Sequence, residues 1–207
     1  MTSVFVFLGC SLAGFLCGSV LFSSLLPKWF LGKDIQALSD DGNPGCTNVF
    51  IHCGPMWGVL CLSLDMLKAF LPVCIGYYLL GTESLLFALV MAAPVLGHAL
   101  APFNHFHGGK CIASAFGTLL ALFPVTHIVL LLAALYIVFS TVLKIQPNRI
   151  RSLAVFGLFG LIALISLMHS SQYSVAIGCL LLSLVTIWRH SRYCAKTEEC
   201  TASDQNT

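Results

Sequence analysis

Residues 112–143 read IASAFGTLLALFPVTHIVLLLAALYIVFSTVL, and the way this stretch divides decides the fold. It runs 32 residues without a Lys, Arg, Asp or Glu. A helix that crosses a bilayer takes about 20 residues, with a range of roughly 17–25. The stretch is therefore too long for one comfortable span and short for two. Pro124 stands in its middle. Proline has no backbone N–H to give, and its ring clashes with the preceding turn, so it breaks a helix. The sequence predicts a hairpin of two short helices, 112–123 and 124–143.

Outward from this hairpin, further apolar runs occupy 4–26, 55–80, 84–103, 152–168 and 172–188. They are continuous rather than alternating, which reads as helix. The chain is 58% hydrophobic and 9% charged, against about 45–50% and 25% for a soluble domain. Mean hydropathy is +0.93. A soluble fold of this size would have almost no polar coat left. In lipid the outer surface stays apolar and the backbone bonds internally, as helices do. The expected fold class is an all-α integral membrane protein of about seven transmembrane helices.

Charge tests the hairpin. With two helices in 112–143, nine of the ten basic residues fall on one side: Lys28, Lys33, Lys110, Lys144, Arg149, Arg151, Arg189, Arg192 and Lys196. The tenth, Lys68, lies within a span, and the opposite side has none. A single helix there would scatter these loops across both faces. The positive-inside rule then places the N-terminus outside and the C-terminus in the cytoplasm. Residues 1–194 read as one membrane domain and 195–207 as a polar, disordered cytoplasmic tail. Met1-Thr2-Ser3 carries no basic residue, so the first run is expected to be a permanent anchor rather than a cleaved signal. A net charge of +2 gives no argument for nucleic acid.

Ten cysteines are scattered with no CxxC and no His/Cys ligand spacing. Neither a metal site nor a disulfide framework is expected.

Three stretches stand out for chemistry. Asp40-Asp41-Gly42-Asn43-Pro44-Gly45-Cys46-Thr47-Asn48 is a polar, turn-rich loop. It reads either as a solvated connection or as a place where backbone amides approach a ligand. His98 precedes His105-Phe106-His107-Gly108-Gly109-Lys110, which leads into the helix from residue 112. A Gly-Gly turn before a helix offers amides and a positive dipole end to a phosphate, and Lys110 adds a full charge. The plainer reading is a turn with an anchoring lysine. Three histidines nearby lack the carboxylates and spacing that a metal would want. Asp65 and Lys68 share a face of the second span at i, i+3. They are either a buried pair that shapes a site or an interfacial pair with Lys68 snorkelling. Gly18-Ser19 suits close helix packing, Ser152 reads as an N-cap, and Arg189-His190 read as the end of the last helix.

These residues, in this order, resemble the bacterial acyl-phosphate:glycerol-3-phosphate acyltransferases. The resemblance runs from Gly18-Ser19 and Phe22, through Gly42-Asn43-Pro44-Gly45-Cys46-Thr47-Asn48-Val49 and Leu64-Asp65-Met66-Leu67-Lys68. It continues with Gly97-His98, Phe106 and Gly108-Gly109-Lys110, and ends with Ser152-Leu153 and Arg189-His190. It departs at Asp41, where the family carries serine, at Ile51, where it carries arginine, and at Tyr193, where it carries asparagine. His52 adjoins the lost arginine.

The resemblance implies a seven-helix enzyme of the bacterial cytoplasmic membrane. Its acyltransferase activity moves a fatty acyl group from acyl phosphate to the 1-hydroxyl of glycerol 3-phosphate. Lysophosphatidic acid and phosphate are released, without metal or organic cofactor, in phospholipid biosynthesis. It places His98, Lys110, Ser152 and His190 at the chemistry. Gly42, Asn43, Gly45, Thr47, Asn48, Gly108, Gly109, Asp65 and Lys68 fall around the substrates. The departures leave open a relative that acylates another acceptor, or one that only binds lipid or a membrane partner. A solute transporter is disfavoured by the lack of an internal repeat.

Overall fold

The structure is a computed structural model that describes residues 4–204, with side chains over 4–192. Among the described residues it is all-helical: α1 (Val4–Ser19), α2 (Phe22–Leu31), α3 (Ile35–Leu38), α4 (Cys46–Cys53), α5 (Pro55–Leu80), α6 (Phe87–Leu100), α7 (Ile112–Ala121), α8 (Ile128–Ile137), α9 (Asn148–His169) and α10 (Tyr173–Asp204). A 3₁₀ turn (Pro102–Asn104) extends α6, and a π turn (Val138–Val142) extends α8.

Local chemistry explains several boundaries. Pro55 opens α5, where its missing N–H costs nothing. Gly81 closes α5 at φ +64, a conformation that suits glycine. Residues 122–127, with Pro124 among them, separate α7 from α8. The long apolar stretch is thus two helices.

Among the described residues, four helices are long and apolar enough to cross a membrane: Pro55–Leu80, Phe87–Asn104, Asn148–His169 and Tyr173–Arg192. The pair α1–α2, bent by 40°, makes a fifth if it counts as one broken span. The helices of the hairpin are apolar but shorter. Ten residues of α7 rise only about 15 Å, half of a hydrocarbon core of about 30 Å.

α6 lies at the centre of the packing, with α1 on one side and α10 on another, while α5 packs on α7 and α9 on α10. The α1–α6 contact is unusually close. A Cβ on Gly18 would run into the Pro94 carbonyl, and one on Gly97 into the Phe15 carbonyl. Small residues let two backbones approach where no hydrophobic effect drives helices together. Phe87, Met91, Leu119, Phe156, Phe159 and Leu182 fill the interior. Phe5, Met56, Tyr78 and Ile165 face outward, which water would penalise and lipid does not.

Three expectations from the sequence need correction. The run 4–26 is not one helix: it breaks after Ser19, and α2 continues to Leu31, so Lys28 lies on a helix rather than in a loop. Ser152 is not an N-cap, because α9 starts at Asn148 behind Pro147, leaving Ser152 inside the helix. Arg189 and His190 do not end the last helix, since α10 continues past them. Tyr193 lies outside the described side chains, and the tail from 195, expected to be disordered, is described in its backbone alone, as a continuation of α10 to Asp204.

The close α1–α6 contact predicts that Gly97→Ala lowers the thermal midpoint in detergent by several degrees, from overpacking of about 1–3 kcal/mol. Gly9→Ala, which meets nothing nearby, is the control and leaves the midpoint unchanged. Equal midpoints for the two variants would contradict this packing.

Candidate functional site

The site grows from the break between α1 and α2. A broken helix frees a carbonyl on one side and an amide on the other. Here α5 supplies both partners. Lys68 Nζ donates to the Val20 carbonyl. Asp65 Oδ1 accepts from Phe22 N at 3.3 Å, and its Oδ2 accepts from the Ser23 hydroxyl. The signs suit the dipoles, with a cation at the end of α1 and an anion at the start of α2. Asp65 and Lys68 pair at 2.8 Å and are 1% and 7% exposed, so Lys68 does not snorkel. Of the two readings open from the sequence, the buried pair holds.

The third ammonium proton of Lys68 points to His98 Nδ1, at 2.9 Å. Accepting at Nδ1 leaves the proton of a neutral imidazole on Nε2. That nitrogen abuts Gly109, where a Cβ would collide with it. A Cβ on Gly108 would strike the Ala99 carbonyl. Both glycines are therefore needed for close approach. The loop around them is tightly wound, with Ala101, His105, Phe106 and Cys111 all at positive φ. Such a backbone persists only where its surroundings enforce it.

The Gly-Gly turn is held from two sides. Gly109 N donates to the His98 carbonyl at 3.1 Å. Arg189 donates to both turn carbonyls, through Nη2 to Gly108 at 2.6 Å and through Nε to Gly109 at 3.3 Å. This corrects the expectation of free glycine amides: the Gly109 amide is already engaged. The turn instead fixes where Lys110 emerges.

Lys110 Nζ meets Asp41 Oδ2 at 2.6 Å. The other oxygen of Asp41 accepts from Asn43 N and from Asn48 Nδ2, both at 3.1 Å. Asn48 also donates to the Asn43 carbonyl at 2.8 Å. Burial pulls the Asp41 carboxyl upward, but the Lys110 hydrogen bond and charge, with the two asparagine donors, outweigh it and leave it below its ordinary value of 3.8. A depressed folded value means that the pair stabilises the loop at neutral pH, and this contribution is lost only as pH falls through that value. Gly42 turns the loop at φ +61, and Gly45 caps α4. Thr47 is exposed on the first turn of α4. Asn43 Oδ1 is buried without a hydrogen-bond partner.

On α10, His190 is 2% exposed and its Nδ1 lies 2.9 Å from the Thr186 carbonyl. The ring donates there, which leaves a lone pair on Nε2. Lys110, Arg189 and Arg149 all lie near enough to act electrostatically on this imidazole. Ser152 is buried and accepts from Tyr136 OH at 3.3 Å. Ile51 is exposed, and the backbone carbonyl of neighbouring His52 accepts from Lys33 at 2.6 Å.

The structure thus gathers His98, Gly108, Gly109 and Lys110 with Asp41, Asn43 and Asn48, and brings His190 to the same cationic group. Sequence reasoning gave no role to Arg149, Tyr136 or the grip of Arg189 on the turn. Arg149, in the first turn of α9, stands in a run of basic residues that marks it in the sequence, whereas Tyr136 stands in a plain apolar run that does not. Among the described residues no three His, Cys, Asp or Glu side chains gather as a metal site would need.

Over residues 8–197 the sequence matches the model of a family described as glycerol-3-phosphate acyltransferase. The glycerol-3-phosphate acyltransferase of Thermotoga petrophila is 42% identical over 128 residues, 62% of this chain. The chain spans 64% of that relative's length. The protein of the same name from Idiomarina loihiensis is 33% identical over 179 residues, 86% of each chain. That from Pseudomonas aeruginosa is 34% identical over 180 residues, covering 87% of this chain and 89% of its own. A crystal structure of PlsY (YgiH), an integral membrane glycerol 3-phosphate acyltransferase in its glycerol 3-phosphate form, matches with a TM-score of 0.78 at 26% identity. That match covers 92% of this chain and 91% of the other. Its lysophosphatidic acid form matches with a TM-score of 0.76.

The buried pair makes a thermodynamic prediction. Lys68→Met strands the Asp65 carboxylate and lowers stability by about 3–5 kcal/mol. Adding Asp65→Asn recovers a substantial part. Denaturant unfolding of both variants in detergent checks this, and a harmless single substitution would contradict the buried network.

Proposed function

The chain belongs to the glycerol-3-phosphate acyltransferase family, and on that premise we propose that it transfers a fatty acyl group from acyl phosphate to the 1-hydroxyl of glycerol 3-phosphate. The observation that carries the reading is Lys110. It is placed by a turn that Arg189 and His98 grip, in the company of His190 and Arg149.

Acyl phosphate is a mixed anhydride, so it arrives activated. The acceptor oxygen bonds to the acyl carbon, the carbon–oxygen bond to phosphate breaks, and the hydroxyl proton leaves with the phosphate. What the protein must supply is alignment and a cationic environment for phosphate oxygens. Lys110 and Arg149 contribute charge. His98 presents Nε2–H as a donor and His190 presents a lone pair, so the two rings play opposite hydrogen-bonding roles. Asn43 Oδ1, a buried acceptor, suits a hydroxyl of the acceptor. Asn48, Thr47, Gly42 and Gly45 shape that side, and the family resemblance assigns Ser152, which accepts from Tyr136, to the same chemistry. Asp65 and Lys68 act from behind, as positioning residues. No step calls for a metal or organic cofactor.

The same reading places the chain in the bacterial cytoplasmic membrane with seven embedded segments: α1 with α2, then α5, α6, α7, α8, α9 and α10. The one-sided distribution of Lys and Arg supports an outer N-terminus and a cytoplasmic site. That arrangement brings a soluble anion to the surface where a lipid-soluble donor waits.

Purified protein in lipid is expected to release phosphate from palmitoyl phosphate and to form lysophosphatidic acid when glycerol 3-phosphate is present. Lys110→Ala is expected to reduce the rate by about 10²–10³. Turnover untouched by Lys110→Ala would remove Lys110 from the site. No turnover by the wild type would favour the altered-acceptor or lipid-binding alternatives.

A further inference from the structure

We infer that Asp41 is an acceptor-specificity residue, a resident anion on Lys110 that weakens the binding of dianionic phosphate there. The inference rests on the reading of Lys110 given above and goes beyond it.

The carboxylate is not a loosely solvated neighbour. Oδ2 takes the Lys110 ammonium at 2.6 Å, while Oδ1 takes the Asn43 amide and the Asn48 side chain at 3.1 Å each. An ammonium, a backbone N–H and a side-chain amide converging on two oxygens form an anion site. This chain fills that site with its own side chain. Asn48, bonded also to the Asn43 carbonyl, keeps the loop in the shape that delivers the carboxylate. The pair joins residues 69 apart in sequence, so it also closes the 39–45 loop over the Gly-Gly turn.

An incoming phosphate has two routes to Lys110. It either displaces Asp41, leaving the Asn43 and Asn48 donors to find new partners, or it shares the ammonium with a carboxylate a few ångströms away. Like charges at that separation repel, and partial burial limits the screening by water. Both routes cost binding free energy in proportion to the charge of the ligand. A neutral polyol of the same size meets no such penalty. Asp41 thereby narrows the advantage of a phosphorylated acceptor over an unphosphorylated one.

The test compares wild type with Asp41→Ser and Asp41→Asn in detergent. Serine keeps a short acceptor for the Asn43 amide, and asparagine keeps the side-chain shape. Calorimetric titrations with inorganic phosphate, glycerol 3-phosphate and glycerol give affinities without needing turnover, and thermal midpoints check that each variant is folded. Both phosphates are expected to bind about tenfold more tightly to a folded variant, with glycerol unchanged. Unchanged or weaker phosphate binding in a folded variant would overturn the inference, the weaker case meaning that Asp41 itself holds the ligand or aligns Lys110. A parallel assay with palmitoyl phosphate keeps the two readings apart. Tighter phosphate binding without turnover in any protein would leave the resident anion standing and remove the acyltransfer reading. Turnover with unchanged affinities would do the reverse.

Discussion

A helix that breaks inside an apolar segment exposes a carbonyl and an amide that hydrocarbon will not satisfy. In this protein one ion pair on α5 meets both demands. Lys68 takes the Val20 carbonyl and Asp65 takes Phe22 N and the Ser23 hydroxyl. The pair is costly to bury, and it is tolerated because each charge has several partners. The break falls just after Gly18-Ser19, a pair at which helices bend readily, and the ion pair supplies the partners that the opened backbone needs.

The same lysine faces the other way, onto His98, and His98 abuts the Gly-Gly turn. A chain of contacts therefore runs from the broken helix to Lys110 across α5 and α6. Arg189 closes it from α10 by taking the turn carbonyls. The architecture fixes a short loop from several helices at once, which suits chemistry that depends on placing phosphate charge rather than on a reactive protein group. The close α1–α6 contact keeps the two ends of this chain in register.

Much of this was legible in the sequence for identifiable reasons. Hydropathy and the positive-inside pattern mark the apolar segments, and Pro124 marks the division of the longest one. Asp65 and Lys68 stand out because charges within an apolar run must be partnered, and their spacing shows that they can partner each other. The Gly-Gly-Lys turn stands out by composition. What the sequence hides is distance. The backbone groups at the Val20–Leu21 break find their partners in side chains more than 40 residues away. Asp41 reaches Lys110 across 69 residues, and nothing local announces that contact. Arg189 and His190 look like the basic end of a helix until the helix is seen to continue past them. The glycine amides look free because the sequence cannot show that the His98 carbonyl takes one of them.

Acyl transfer as proposed requires phosphate to be held at the turn where Lys110 emerges. The most direct measurement is an experimental structure in lipid with glycerol 3-phosphate bound, read for the position of the phosphorus atom. A phosphate oxygen is expected at charge-assisted hydrogen-bond distance, about 2.7–2.9 Å, from Lys110 Nζ, with Arg189 still on the turn carbonyls. A phosphate seated away from Lys110, with the Asp41–Lys110 pair undisturbed, would contradict it.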